Sequence, residues 1–241
     1  RDFCLSRGLG DVYKRQSEHS KYRGVDGVIV ACVDFEAEEV KELLQSGIPV
    51  VTIDYIFNDK ACVMSDNIRG MEQLVSYIIQ CGHKKIAYIH GADSFVTRSR
   101  IGSFLRTMKR YGIETEDRYI REGIYHAPDV SAKITHELLS LEDRPTCIVY
   151  PDDFSCIGGI NVIRSKGLSI PNDISVAGYD GQRIAHVIEP KITTYRQNTE
   201  QIGKVAAAKL VELIEQPELA LVERLDVQGE LIRGCSVLSM K

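Results

Sequence analysis

Residues Gly82–Gly112 read GHKKIAYIHGADSFVTRSRIGSFLRTMKRYG, and this stretch decides the fold class. Lys85–His90 is a short apolar run, too short for a helix and bounded by Gly91. It is followed by Ile101, Phe104, Leu105 and Met108 at helical spacing, with Gly112 after Tyr111 as the stop. Apolar side chains at successive strand positions imply burial on both faces, the habit of parallel sheets. A glycine just past the last periodic residue ends a helix without a steric penalty.

The same unit repeats outward from there. Strand-like runs fall at Val25–Val30, Pro49–Ile53, Tyr119–Glu122, Thr146–Tyr150 and Ile174–Gly178. Helical stripes lie between them. Met71, Leu74, Val75, Ile78 and Ile79 end at Cys81-Gly82, and Ile134, Leu138 and Leu139 form another. Ile157, Ile160 and Ile163 end at Gly167, while Ile202, Val205, Leu210 and Leu213 mark the last long helix. Repeated strand–helix alternation predicts an α/β fold with parallel sheets flanked by helices. Gly82–Asp180 alone holds enough units for one complete lobe.

The bulk composition excludes several classes. At 241 residues the chain can bury a sizeable core, more naturally as two lobes than one. A formal net charge of −4 gives no general attraction for nucleic acid. No apolar run approaches the length of a membrane span, and residues 1–16 carry no secretory signal pattern. That opening segment has no period and no capping logic, and is expected to be a non-family, artefactual tail outside the fold. The seven cysteines stand singly, with no C-x-x-C pair, which fits reduced thiols in a cytoplasm. None of the six histidines has metal-ligand spacing, and His83 reads as a structural turn residue. There is no P-loop, no G-x-S-x-G elbow and no G-x-G-x-x-G after a strand, so no cofactor and no metal is expected.

Several segments in order carry a family resemblance. They are Gly47–Asp54 (GIPVVTID), Ser65–Asn67, Cys81–Ile89 (CGHKKIAYI), and Arg144–Thr146 leading into Asp152-Asp153. Gly167–Asp180 (GLSIPNDISVAGYD) and Thr193–Gln197 (TTYRQ) complete the set. Together they resemble the effector-binding domain of the lactose-repressor/galactose-repressor (LacI/GalR) family, over about Lys21 to Ser236. The resemblance implies a two-lobed, periplasmic-binding-protein-like type I fold with a ligand cleft between the lobes. It implies crossovers near Ser65–Asn67, Thr194–Asn198 and Glu218–Leu221. The N-terminal lobe would then be residues 17–66 plus 198–218, and the C-terminal lobe 67–197 plus 219–241. The family's opening strands and its helix-turn-helix are not found here. The N-terminal lobe is therefore expected to be incomplete, with Val25–Val30 as its edge, and operator DNA to be reached only through the missing N-terminal domain.

In open parallel sheets ligands bind beyond the carboxyl ends of the strands. Asp180, Asp152, Ser94, Arg100 and Asp54 all follow such ends. Carboxylates accept two hydrogen bonds and arginine donates a fork, a set suited to neighbouring hydroxyls. Arg100 and Asp180 take the positions of the family's ligand-contacting arginine and aspartate. Asp152 stands where the family often has asparagine facing the cleft, and Asp153 reads as the N-cap of the next helix. Gln197, Tyr150 and Phe95 complete the candidates, the last two being equally readable as core, with Tyr55 and Phe57 weaker still. Arg98 is expected to be a solvated arginine.

The expected function is effector binding and dimerisation in a bacterial transcription regulator. The expected partners are a small molecule, with a sugar favoured, and a second copy of the chain. A solute-binding protein of a sugar transport system is the alternative, and an enzyme on the same fold class is the third reading.

Overall fold

The computed structural model describes residues 3–6, as a strand, and 24–240. The chain forms two compact units, residues 1–66 with 198–227 and residues 67–197 with 228–241.

In the first unit β1 (Phe3–Ser6), β2 (Gly27–Val30), β3 (Val50–Ile53), β4 (Ala61–Ser65) and β10 (Arg224–Val227) lie side by side in that order. All neighbours are parallel. The side-chain period of two decides which helix covers which face. Val28, Val30 and Val50 meet Val40, Leu43 and Leu44 of α1 (Glu38–Gln45). Ile29, Val51 and Val63 meet Ile202, Ala206 and Leu210 of α7 (Thr199–Glu215) on the other face.

Two expectations need correction here. β2 is not an edge, because Phe3–Ser6 pairs along it from Phe3↔Gly27 to Ser6↔Val30. A four-residue strand is too short to show a period in the sequence, yet it supplies partners for backbone groups that β2 would otherwise leave unpaired. Residues 1–2 and 7–16 of the expected tail lie outside the described residues. The third crossing falls after Val227 rather than near Glu218–Leu221. The free edge of β4 takes β10 in parallel, Arg224 opposite Cys62, and so keeps residues 219–227 in the first unit.

In the second unit the sheet order is β11-β9-β8-β7-β5-β6. The strands are β5 (Ile86–His90), β6 (Ile120–Glu122), β7 (Cys147–Val149), β8 (Ser175–Asp180), β9 (Thr193–Arg196) and β11 (Glu230–Ile232). Only β11 runs antiparallel to its neighbour. Ile86, Tyr88, Cys147, Val149, Ala177 and Tyr179 face α2 (Asn67–Gln80) and α3 (Phe95–Arg110), contributing Met71, Leu74, Val75, Phe104 and Met108. Ala87, Ile89, Ile148 and Val176 face α4 (Pro128–Leu139) and α5 (Asp153–Ser165), contributing Ile134, Leu138, Ile160 and Ile163. A short α6 (Arg183–Val187) links β8 to β9. From β5 the chain crosses to β6 on one side, then to β7 on the other. The topological switch therefore lies between β5 and β7, and open parallel sheets bind ligands beyond the carboxyl ends of the strands at such a point.

Candidate functional site

Arg100 lies beside these strand ends, against Pro151 after β7 and Asp180 at the end of β8. It projects from the second turn of α3, whose start is fixed by Ser94 accepting the Thr97 N–H at 3.1 Å. The side chain is only 3% exposed. Its Nε donates to Asn67 Oδ1 at 2.8 Å and its Nη1 to the Pro151 carbonyl at 3.2 Å. The guanidinium lies 3.7 Å from the centre of the Tyr179 ring, a cation–π seat. A buried arginine with two planar contacts and an aromatic floor is held in one orientation. Donors on Nη1 and Nη2 are left over.

Asp180 ends β8 beside it. Its Oδ1 is 3.9 Å from Arg100 Nη2, an ion pair too long for a hydrogen bond. The same oxygen accepts from Gln197 Nε2, and the Gln197 N–H donates to the Asp180 carbonyl at 3.2 Å. Gln197 therefore braces Asp180. Burial pushes the Asp180 carboxyl up from its ordinary range, opposed by Arg100 and by the Gln197 bond. A cation with spare donors beside a carboxylate with a spare oxygen matches a hydroxyl, which accepts from one and donates to the other.

Of the two neighbouring aspartates it is Asp152, not Asp153, that caps the helix. Asp152 is the N-cap of α5, and its Oδ1 accepts the Ser155 N–H at 2.8 Å. Its Oδ2 accepts the Ser155 hydroxyl at 2.9 Å and the His126 N–H at 2.8 Å. With three donors on two oxygens and no exposure, it is committed to the fold rather than to a ligand. Asp153, expected as the cap, is the first helical residue and is equally buried. Its Oδ2 accepts the Gln182 N–H at 2.6 Å. Sequence cannot separate adjacent aspartates at a helix start; the backbone of Asp152 is extended, at φ −158° and ψ 171°, and that decides which one caps.

Other candidates move as well. Tyr150 is fully buried in the core, its hydroxyl 2.8 Å from Thr135 Oγ1, so it is a core residue and not a ligand contact. Ser94 is used as a cap. Phe95 is half-buried at the start of α3. Asp54 belongs to the first unit, where it follows β3 with φ +60° and donates its N–H to the Val63 carbonyl at 3.0 Å. In the same unit Tyr55 stacks on Phe35 at 4.1 Å, and the flanking Phe57 packs against the core. Arg98 is exposed and paired with Asp93 at 2.8 Å. His83 bridges Thr146 and the Leu238 carbonyl, a structural role, and burial lowers its pKa.

Two residues were not anticipated. Tyr125 has its ring 5.8 Å from the Arg100 guanidinium and its hydroxyl 2.9 Å from Thr97 Oγ1. Its ring covers Gly91, where a β-carbon would come within 2.1 Å of it. His126 adopts φ +56° to present its N–H to Asp152. Both lie in the irregular segment after β6, where no periodicity marks a residue. Gly91, directly after the strand, is the one sequence hint of a close approach. Among the described residues no group of three His, Cys, Asp or Glu side chains could hold a metal ion.

The family profile of the periplasmic binding protein-like domain matches residues 75–237. The HTH-type transcriptional repressor PurR of Vibrio vulnificus is 31% identical over 90% of this chain and 69% of its own length. That of Mannheimia succiniciproducens is 28% identical over 97% of this chain and 71% of its own. Among solved structures, the complex of the transcriptional regulator CelR with cellobiose superposes with a TM-score of 0.84 at 25% identity, covering 95% of this chain and 71% of that one. A regulatory protein of the LacI family from Chloroflexus aggregans gives 0.83 at 28% identity, covering 95% and 83%.

Proposed function

The chain belongs to the LacI family of transcriptional regulators as its periplasmic-binding-protein-like effector-binding domain, and from that premise we propose that Arg100 and Asp180 bind a neutral, hydroxylated effector, a sugar. Its relatives are transcriptional repressors, and the chain is a binding domain rather than an enzyme.

The observation that carries the proposal is the Arg100–Asp180 pair itself. A buried guanidinium on an aromatic floor stands 3.9 Å from a braced carboxylate, and each keeps hydrogen-bonding capacity. Opposite charges on the two partners favour a ligand without charge of its own. The CelR structure, which has cellobiose bound, supports a sugar over other hydroxylated molecules. We further propose that the chain acts as a homodimer in the cytoplasm, and that the effector alters the operator affinity of the intact regulator. Coupling of this kind is typically about 1–3 kcal/mol.

Isothermal titration calorimetry against cellobiose, monosaccharides and nucleobases tests the reading. Arg100→Ala and Asp180→Ala should each weaken the sugar that binds by about tenfold or more, the cost of stranding a charged hydrogen-bonding partner. Sugar binding that neither substitution changes would remove the pair from the site.

A further inference from the structure

Asp153 is a buried carboxylate that the effector-binding pair leaves unused. Its Oδ2 takes the Gln182 N–H at 2.6 Å, while Thr194 Oγ1 takes the Gly181 N–H at 3.2 Å. These bonds hold two successive backbone donors in the turn that follows Asp180. The turn needs holding, since Asp180 sits at φ +92° and Gly181 at φ +66°. A non-glycine residue in that region persists only where its surroundings over-determine it.

Room has been made for the carboxyl. A β-carbon at Gly178 would lie 2.1 Å from Asp153 Oδ1. Oδ1 itself makes no hydrogen bond among the described residues, although it is fully buried. Burying a polar oxygen without a partner is unfavourable. The start of α5 does not require it, because Asp152 already provides the cap.

We propose that Asp153 is a positioning residue of the effector site, fixing the Gly181–Gln182 turn and thereby aiming Asp180. This rests on Asp180 being an effector contact. Asp153 acts through the turn and does not touch the ligand. Burial pushes its pKa up to about 7, with the Thr194 hydroxyl and the Gln182 N–H opposing the rise and Asp180 and Asp152 adding to it. Cys156, further along α5, has its thiol kept protonated chiefly by burial, with the Asp153 charge adding to the effect. Arg100 faces Asp180, and His126 lies beside Asp152. An ionised oxygen accepts a hydrogen bond more strongly than a protonated carboxyl. The grip on the turn therefore tightens as the pH rises through about 7 and slackens below it.

The test uses the full chain and two readouts. In proton–nitrogen correlation spectra the Gln182 amide proton should move downfield as the pH rises, with a midpoint of about 7. Asp153→Asn should abolish that titration and shift the Asp180 carboxyl carbon, leaving signals from the first unit in place. In calorimetry with cellobiose as the probe, the wild type should bind about threefold or more tightly above the midpoint than below it, and Asp153→Asn should lose that gain. A Gln182 amide that does not titrate in the wild type, or titrates alike in both proteins, overturns the inference, as does an unmoved Asp180 carboxyl carbon. A wild type that fails to bind any sugar refutes the effector reading instead, while the two spectroscopic signals still decide whether Asp153 sets the turn.

Discussion

Asp153→Asn should also change how stability depends on pH, by an amount the structure specifies. The substitution keeps the shape of the side chain and removes a buried charge. Its carboxyl titrates at about 7 in the folded chain, against the ordinary 3.8 expected once the chain unfolds. Between those values the folded state holds a proton that the unfolded state has released. Stability therefore falls as the pH rises through the window and levels off above about 7. The whole gap is worth about 4 kcal/mol, and the part between about pH 5 and 7 about 3 kcal/mol. Asp180, also pushed up by burial, adds a slope of the same sign. The informative quantity is thus the difference between wild type and variant. Urea unfolding at about pH 5 and about pH 8 should show the wild type losing about 3 kcal/mol more than Asp153→Asn over that interval. The variant should be the more stable protein at the higher pH, although it binds its effector less well there. Equal slopes in the two proteins would refute the reasoning.

Ser94→Ala should cost about 1 kcal/mol in thermal unfolding, the worth of an N-cap, and leave sugar affinity unchanged. A loss of affinity of about tenfold in calorimetry would restore Ser94 as a contact. Gly158→Ala places a β-carbon 1.8 Å from the Pro128 carbonyl oxygen, where backbone faces backbone across α4 and α5. It should lower stability by about 2 kcal/mol or more, and a wild-type unfolding midpoint would contradict that packing. Arg100→Lys keeps the charge, but one ammonium cannot reproduce the fork that serves both Asn67 and Pro151. It should lose about 1–3 kcal/mol in urea unfolding and fail to recover sugar affinity.

The α/β class was legible in the residues because burial on both faces leaves its mark on strands as short as Ile86–His90 and Cys147–Val149. Their helices announced themselves by stripe and by a terminal glycine. β1, β4, β9, β10 and β11 were not read as strands from the residues, and β9 entered only through the Thr193–Gln197 segment of the family resemblance. β10 runs exposed, half-buried, exposed, buried and β11 exposed then twice half-buried, too few positions for a period to emerge. Of the candidate site, Arg100 and Asp180 could be proposed because both follow strand ends in recognisable segments, and the structure sets them 3.9 Å apart. Which of Asp152 and Asp153 caps the helix was invisible, since the residue type is the same at both positions and only φ and ψ distinguish them. Tyr125 and His126 lie in an irregular segment whose path depends on contacts with Gly91 and Asp152, distant in sequence. Tyr150 was open to two readings, stacking or core with core slightly preferred, and its ring packs in the core beneath Gly159.

A crystal structure of the chain with a bound sugar examines the main claim at its source. One ligand hydroxyl should lie about 2.7–3.2 Å from both an Arg100 Nη atom and Asp180 Oδ2, with Asp152 still bonded to Ser155 and His126. A sugar seated elsewhere, with the Arg100–Asp180 pair untouched, would contradict the account.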